Sequence, residues 1–257
     1  MRFTSLGSGS EGNALVVEVS EGSSTTRVLL DCGFSVRELQ RRLLRAGIDF
    51  ADLDALIVTH EHTDHVGSAL TLARKAGLPV YMSWGTALAC GADDGRIDLR
   101  ILWGGDPLAI GDIEVHPYTV PHDAREPLQF VFSDGDVRLG VLTDTGCPTP
   151  HIVEVLGGCH GLILECNHDR EMLAASRYPA SLKRRIGGDL GHLANDAAAQ
   201  LLADLDRQHI QHLIAAHLSQ QNNTPELARA ALATVMGSSI DDIVAATQAE
   251  GFDWRSI

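Results

Sequence analysis

The chain predicts an α/β fold, and three observations carry that prediction. Short apolar runs of strand length alternate with helix-like stretches along the whole sequence. Several of them, such as Val28-Leu29-Leu30, Leu56-Ile57-Val58 and Leu162-Ile163-Leu164, are continuously apolar, as in strands buried on both faces. Metal-capable side chains recur just beyond such runs, the pattern of a site assembled at strand ends. With 44% hydrophobic residues and no linker, low-complexity tract or clear repeat, residues 1–257 read as one domain.

Taken in order, Met1 to Gly7 reads as a strand, and Val28-Leu29-Leu30 as a second that ends at Asp31-Cys32-Gly33. Ser35 and Glu38 have capping-box spacing, and Val36, Leu39 and Leu43 give the helix that follows an apolar stripe. Arg41, Arg42 and Arg45 fall to the solvent face of that helix. Leu56-Ile57-Val58 is a buried strand, and Val66 to Ala76 a helix stopped by Gly77 and Pro79. Strands follow at Ile113–Tyr118, Leu128–Phe132 and Val137–Leu142, the last two joined by a turn at Ser133-Asp134-Gly135-Asp136. Leu162–Leu164 is another strand. Asn195 is placed to cap a helix bearing Ala198, Leu201, Leu202 and Leu205 on one face. Ile210–Ala215 is the next strand, and Thr224-Pro225 opens a last helix with proline at its first position.

Composition narrows the function. The five cysteines are odd in number and contain no C-x-x-C, which argues against a disulfide framework and against a cysteine zinc site. No run approaches the ~20 apolar residues of a membrane span, and the N-terminus lacks the apolar core of a signal peptide; the expectation is a cytoplasmic protein with no membrane association. A net charge of −14 points away from a broad nucleic-acid-binding surface, so a polyanionic substrate must be drawn by local charge, bound metal included.

Val58-Thr59-His60-Glu61-His62-Thr63-Asp64-His65 packs three imidazoles and a carboxylate into six residues. His60 and His62 alternate on an extended segment and point to one side. Asp64 and His65 follow at a turn and can reach a second point. Three further strand ends carry His122, Asp144 and His217. Five histidines and two aspartates suffice for two ions: His60, His62 and His122 for one, Asp64, His65 and His217 for the other, with Asp144 as a bridge across ~3.5–4 Å. Asp31 reads as an anchor that orients the histidine motif through hydrogen bonds.

Thr59-His60-Glu61-His62-Thr63-Asp64-His65-Val66-Gly67, His122, Thr143-Asp144-Thr145-Gly146 and His217 resemble the metallo-β-lactamase superfamily over essentially the whole chain. That resemblance implies an αββα sandwich with a dinuclear site at the sheet edges, and it supports the same division of ligands. Leu6-Gly7-Ser8-Gly9-Ser10-Glu11-Gly12-Asn13, Leu30-Asp31-Cys32-Gly33, Pro121-His122-Asp123-Ala124, Glu165-Cys166-Asn167-His168-Asp169, Gly191-His192-Leu193 and His217-Leu218-Ser219 are similar to the YycJ/WalJ group, which implies a 5′→3′ DNA exonuclease. The usual Gly-His-Leu-Ser-Asn of that group is here Gly-His-Leu-Ala-Asn, with Ala194 in the serine position.

The expected function is a dinuclear phosphodiesterase acting on DNA, with a metal-bridging hydroxide as nucleophile and Asp64, His168 and His192 as catalytic residues. His168 and His192 exceed the ligand count, so each is either a phosphate contact or proton donor, or an outer residue. Lys183-Arg184-Arg185 is either a phosphate clamp or a solvated face, and the Ser8 to Asn13 loop, with Ser8, Ser10 and Asn13, either an anion cradle or a tight glycine turn. Histidine-rich ligation favours two divalent ions, Zn²⁺ or Mn²⁺, over Mg²⁺. The strongest rival is a glyoxalase II-like thioester or lactone hydrolase. Secreted β-lactamases are disfavoured by Asp144 and the missing signal peptide, and RNA-processing relatives by the short Asp144–His217 interval, which leaves no room for a large cap domain. A non-catalytic metal-binding partner protein is disfavoured by the complete ligand set. Nothing in the pattern specifies an oligomeric state.

Overall fold

Two seven-stranded sheets stack face to face in the structure, a computed structural model that describes residues 1–257. The first runs in the order β14 (Phe252–Ser256), β1 (Arg2–Gly7), β2 (Ala14–Glu21), β3 (Ser24–Leu30), β4 (Ala55–Ile57), β5 (Val80–Ser83), β6 (Leu99–Leu102). The second runs β13 (Val244–Ala245), β12 (His212–Ala216), β11 (Gly161–Glu165), β10 (Arg138–Leu142), β9 (Leu128–Ser133), β8 (Ile113–Thr119), β7 (Leu108–Ile110). Each sheet is antiparallel on one side and parallel on the other, from β3 to β6 and from β10 to β13. The parallel halves bring several strand ends to one edge, where ligands gather in open α/β sheets.

Period-two alternation explains the continuously apolar strands. In β11, Ile163 faces the other sheet, whereas Leu162 and Leu164 face helices. Val28 and Leu30 of β3 likewise point between the sheets, and Leu29 points outward. Helices α1 (Val36–Arg45), α2 (Thr63–Val66), α3 (Ala69–Ala76) and α4 (Trp84–Cys90) belong to the first sheet; Leu39, Leu43, Leu72 and Ala87 pack beneath them. Helices α5 (Pro150–Leu156), α6 (Arg170–Ala175), α7 (Ala180–Ile186), α8 (Asn195–Asp204) and α9 (Pro225–Met236) belong to the second, where α5, α8 and α9 pack Ile152, Leu201, Leu202 and Leu232 against it. The result is the expected αββα sandwich. No helix is long and apolar enough to cross a membrane.

Three local expectations are corrected. The helix expected over Val66 to Ala76 is two helices, because Gly67 (φ 30°) lies so close to the loop after β3 that a Cβ there would sit 2.5 Å from the Cys32 carbonyl oxygen. Arg42 is buried rather than solvent-facing: its guanidinium lies over the Phe34 ring and donates to the carbonyls of Leu6 and Gln248. Asn195 does not cap α8; it is the first helical residue, and its side chain pairs with Asn223. The capping position belongs to Ala194, whose backbone is extended (φ −72°, ψ 157°) and whose side chain can accept nothing. Ala194→Ser should therefore stabilise the protein by about 1 kcal/mol, raising Tm by roughly 2–4 °C. A lower Tm in calorimetry would mean that the buried site has no room for the hydroxyl.

Candidate metal centre

Six strand exits converge on one edge of the sandwich. The chain leaving β3 carries Asp31, that leaving β4 carries His60 and His62, and α2 sets Asp64 and His65 on its first turn. His122 follows β8, Asp144 follows β10, Glu165 ends β11 and His217 follows β12. Asp31, Asp144 and His217 are the three non-glycine residues with positive φ (63°, 52° and 55°). Such backbone costs free energy and persists where the surroundings enforce it, commonly at functional sites.

The seven residues expected to hold metal come together. His60, His62 and His122 form one group with ligand atoms within 4.8 Å of each other, and Asp64, His65 and His217 form another. Asp144 lies between: its Oδ2 is 2.8 Å from His65 Nε2, and it groups with His60 as well. His62 Nδ1 and His122 Nε2 are 3.3 Å apart, and His217 Nε2 is 3.4 Å from Asp64 Oδ2. His60 Nε2 is buried with no hydrogen-bond partner, and buried Asp144 Oδ2 has nothing to satisfy it beyond the His65 nitrogen. Orphaned polar atoms of this kind are expensive unless something satisfies them, and a divalent cation fits both.

Outer partners fix the rings. His65 Nδ1 donates to Asp31 Oδ2 at 2.7 Å, and the same carboxylate accepts from the backbone N–H and hydroxyl of Thr59. His122 Nδ1 donates to the Gly191 carbonyl at 3.0 Å. Glu165 Oε1 takes hydrogen bonds from His192 Nδ1 at 2.9 Å and His217 Nδ1 at 3.1 Å, while its Oε2 accepts from the N–H groups of Thr145 and Leu193. For His65, His122 and His217 the bond leaves Nε2 turned toward the cluster, where it can ligate once the ring is neutral. Burial holds His60 well below the ordinary histidine range, so it is neutral, the form that ligates metal. Burial pushes the Glu165 carboxyl upward, but His192 and His217 outweigh it and hold it down at about 2.

A cleft of about 450 Å³ opens over the cluster, with His62, Asp64, Asp144, His192 and His217 in its wall. Ser10 and Arg185 also line it, and Arg185 is paired with Asp123. The other expected substrate contacts lie elsewhere. Ser8 is buried, and its Oγ accepts from the His217 N–H at 2.9 Å. Asn13 is buried too, accepting from the Gly9 N–H and donating to the Asp64 carbonyl. Both brace the metal-side loops, and neither lines the cleft. Lys183 donates to the Ala174 carbonyl, and neither it nor Arg184 lines the cleft, because successive helical residues of α7 point in different directions. His168 is 1% exposed, is absent from the cleft wall and has no hydrogen-bond partner at either ring nitrogen. Glu165 was missed in the sequence. Its signal was available: it ends a buried strand, as Asp144 and His217 nearly do.

Comparison with known proteins decides the family. A β-lactamase superfamily domain matches residues 26–218. The chain belongs to the metallo-β-lactamase superfamily. It stands with the YycJ/WalJ group: it is 38% identical to exodeoxyribonuclease YycJ of Bacillus anthracis over 239 residues, 92% of this chain and 89% of that protein. It is 33% identical to exodeoxyribonuclease WalJ of Streptococcus pneumoniae over 232 residues, 88% of this chain and 85% of that one. Among solved structures, the metallo-β-lactamase fold protein YhfI of Bacillus subtilis superposes with a TM-score of 0.73 at 17% identity, covering 99% of both chains. This metallo-β-lactamase superfamily member is a metal-dependent hydrolase.

Proposed function

We propose that this protein is a dinuclear phosphodiesterase that removes nucleotides from DNA in the 5′→3′ direction, with residues 1–257 acting as a single domain. Asp144 carries the dinuclear part of this reading: one buried carboxylate stands within reach of both histidine groups. The substrate class is supported by the names of two relatives that align along nearly the whole chain.

His60, His62 and His122 would hold one cation, Asp64, His65 and His217 the other, and Asp144 both. Two such cations, Zn²⁺ or Mn²⁺, supply Lewis acidity and the means to ionise water near neutral pH. The protein's own groups do the remaining work. His192 is anchored through Nδ1 to Glu165, and its Nε2 has no partner in the chain, so it can present a proton to the departing sugar oxygen. Ser10 and Arg185 line the same cleft, where a hydroxyl and a guanidinium can contact non-bridging phosphate oxygens.

The test is incubation of the metal-loaded protein with end-labelled DNA, RNA and a thioester in parallel. Progressive loss from the 5′ end of DNA is expected. Turnover of the thioester alone would hand the site to a glyoxalase II-like reaction. In the same assay His192→Ala should retain its metal and lose about 10²-fold or more in rate on DNA. Loss of metal from that variant would make His192 a ligand instead.

A further inference from the structure

A net charge of −14 gives a polyanion little overall attraction to this protein. Bases offer another handle, because every base has a stacking face. The chain has three tryptophans. Trp254 is committed to the fold: it donates to the Ala46 carbonyl, and Arg2 lies over its ring. Trp84 and Trp103 are 43% and 55% exposed, and neither indole N–H has a hydrogen-bond partner.

Their placement is not scattered. Ser83 of β5 pairs with Leu102 of β6 in parallel register, so Trp84 and Trp103 leave adjacent strands at the same level and the same edge. β4, which delivers His60, is the next strand over. Strands step ~4.8 Å apart, so the strand exit that carries Trp103 stands roughly 10 Å from the histidine strand, a span of only a few nucleotides. One loop joins the indoles to the cleft. The Arg125 N–H donates to Glu61, which lines the cleft, and the next residue, Glu126, accepts from the Gly85 N–H beside Trp84. Arg125 is exposed and forms no ion pair, and its side-chain stem packs at Gly85.

We infer that Trp84 and Trp103, with Arg125 between them and the cleft, form a track that holds unpaired bases of single-stranded DNA next to the metal centre. The inference rests on the nuclease reading and names its substrate form. The indoles stack successive bases, and Arg125 takes one phosphate. An acidic protein thus grips a polyanion chiefly through its neutral parts.

The test is binding of a non-hydrolysable phosphorothioate oligothymidylate, about ten nucleotides long, to metal-loaded full-length protein. Wild-type indole fluorescence should be quenched on binding. Trp84→Ala with Trp103→Ala should weaken binding about 25-fold or more, about fivefold for each stacked base lost. Phenylalanine at both positions should restore most of it, and Leu44→Ala, which removes another exposed apolar side chain, should leave binding unchanged. Arg125→Ala should flatten the logarithmic salt slope by about 0.7, one single-strand phosphate. Undiminished affinity in the double variant, or no quenching in the wild type, overturns the track while leaving the nuclease reading intact if DNA is still cleaved. Wild-type protein that neither binds nor cleaves DNA overturns both. A double variant that loses self-association in light scattering yet binds DNA normally would assign the indoles to a contact between copies of the chain and overturn the track.

Discussion

Asp144→Asn is expected to lose more activity than the ~10–100-fold that removal of an outer partner costs a metal site, while the fold survives. Asp144 sits at φ 52°, a left-handed conformation that asparagine adopts at least as readily as aspartate, so the replacement adds little strain. It keeps the shape and removes the charge. Burial pushes the Asp144 carboxyl upward, but His217 and His65 outweigh it and hold it well below the usual carboxylate range. It is therefore ionised, and two cations lose a shared anion when it becomes an amide. Elemental analysis should show reduced metal, and circular dichroism an unchanged fold. Near-normal hydrolysis by the variant would mean that the bridge lies elsewhere.

Metal removal should have the second large effect. Fully loaded, active protein is expected to carry two equivalents; a stable value of one would sink the dinuclear arrangement. Chelation should abolish hydrolysis and leave His60 Nε2 buried without a partner. An ion present at 100 times its Kd stabilises the folded chain by about 2.7 kcal/mol, so Tm should fall by roughly 5–10 °C. Full stability and activity in protein shown to be metal-free would refute the site. Loading should also depend on pH. In the metal-free cluster, burial pulls the His217 pKa down, but Asp144, Asp64 and Glu165 outweigh it and raise it to about 9. Ligation at Nε2 requires the neutral ring, so each binding event at pH 7 releases a proton from His217. Affinity should accordingly tighten as pH rises from 7 toward 9, by about tenfold per unit for each proton released. A metal Kd that does not change between pH 7 and 9 would contradict this assignment.

The alternation of apolar runs, the helix stops and the ligand-rich strand exits were legible because each is local. Period two along Leu162-Ile163-Leu164 records two buried faces, and the spacing of His60, His62, Asp64 and His65 records two directions of approach. Asp31 was legible as an anchor because it leaves a strand as the histidine motif does. What depended on an opposing surface was not legible. Arg42 reads as solvent-facing until Phe34 and the carbonyls of Leu6 and Gln248 enclose it. Ser8 and Asn13 read equally as an anion cradle or a tight glycine turn until their hydrogen bonds with His217 and Asp64 are seen. Lys183, Arg184 and Arg185 form one basic cluster in sequence, but the rotation of α7 turns only Arg185 into the cleft. Glu165 acquires a role only when β11 is set between β10 and β12, which places its carboxylate against both His192 and His217. Chain chemistry alone thus determined which residues this protein could use and where its strands would deliver them. Tertiary packing decided which of them face a substrate and which are spent holding others in place, because a buried polar group is defined by the partner that satisfies it, and that partner is supplied by a distant part of the chain.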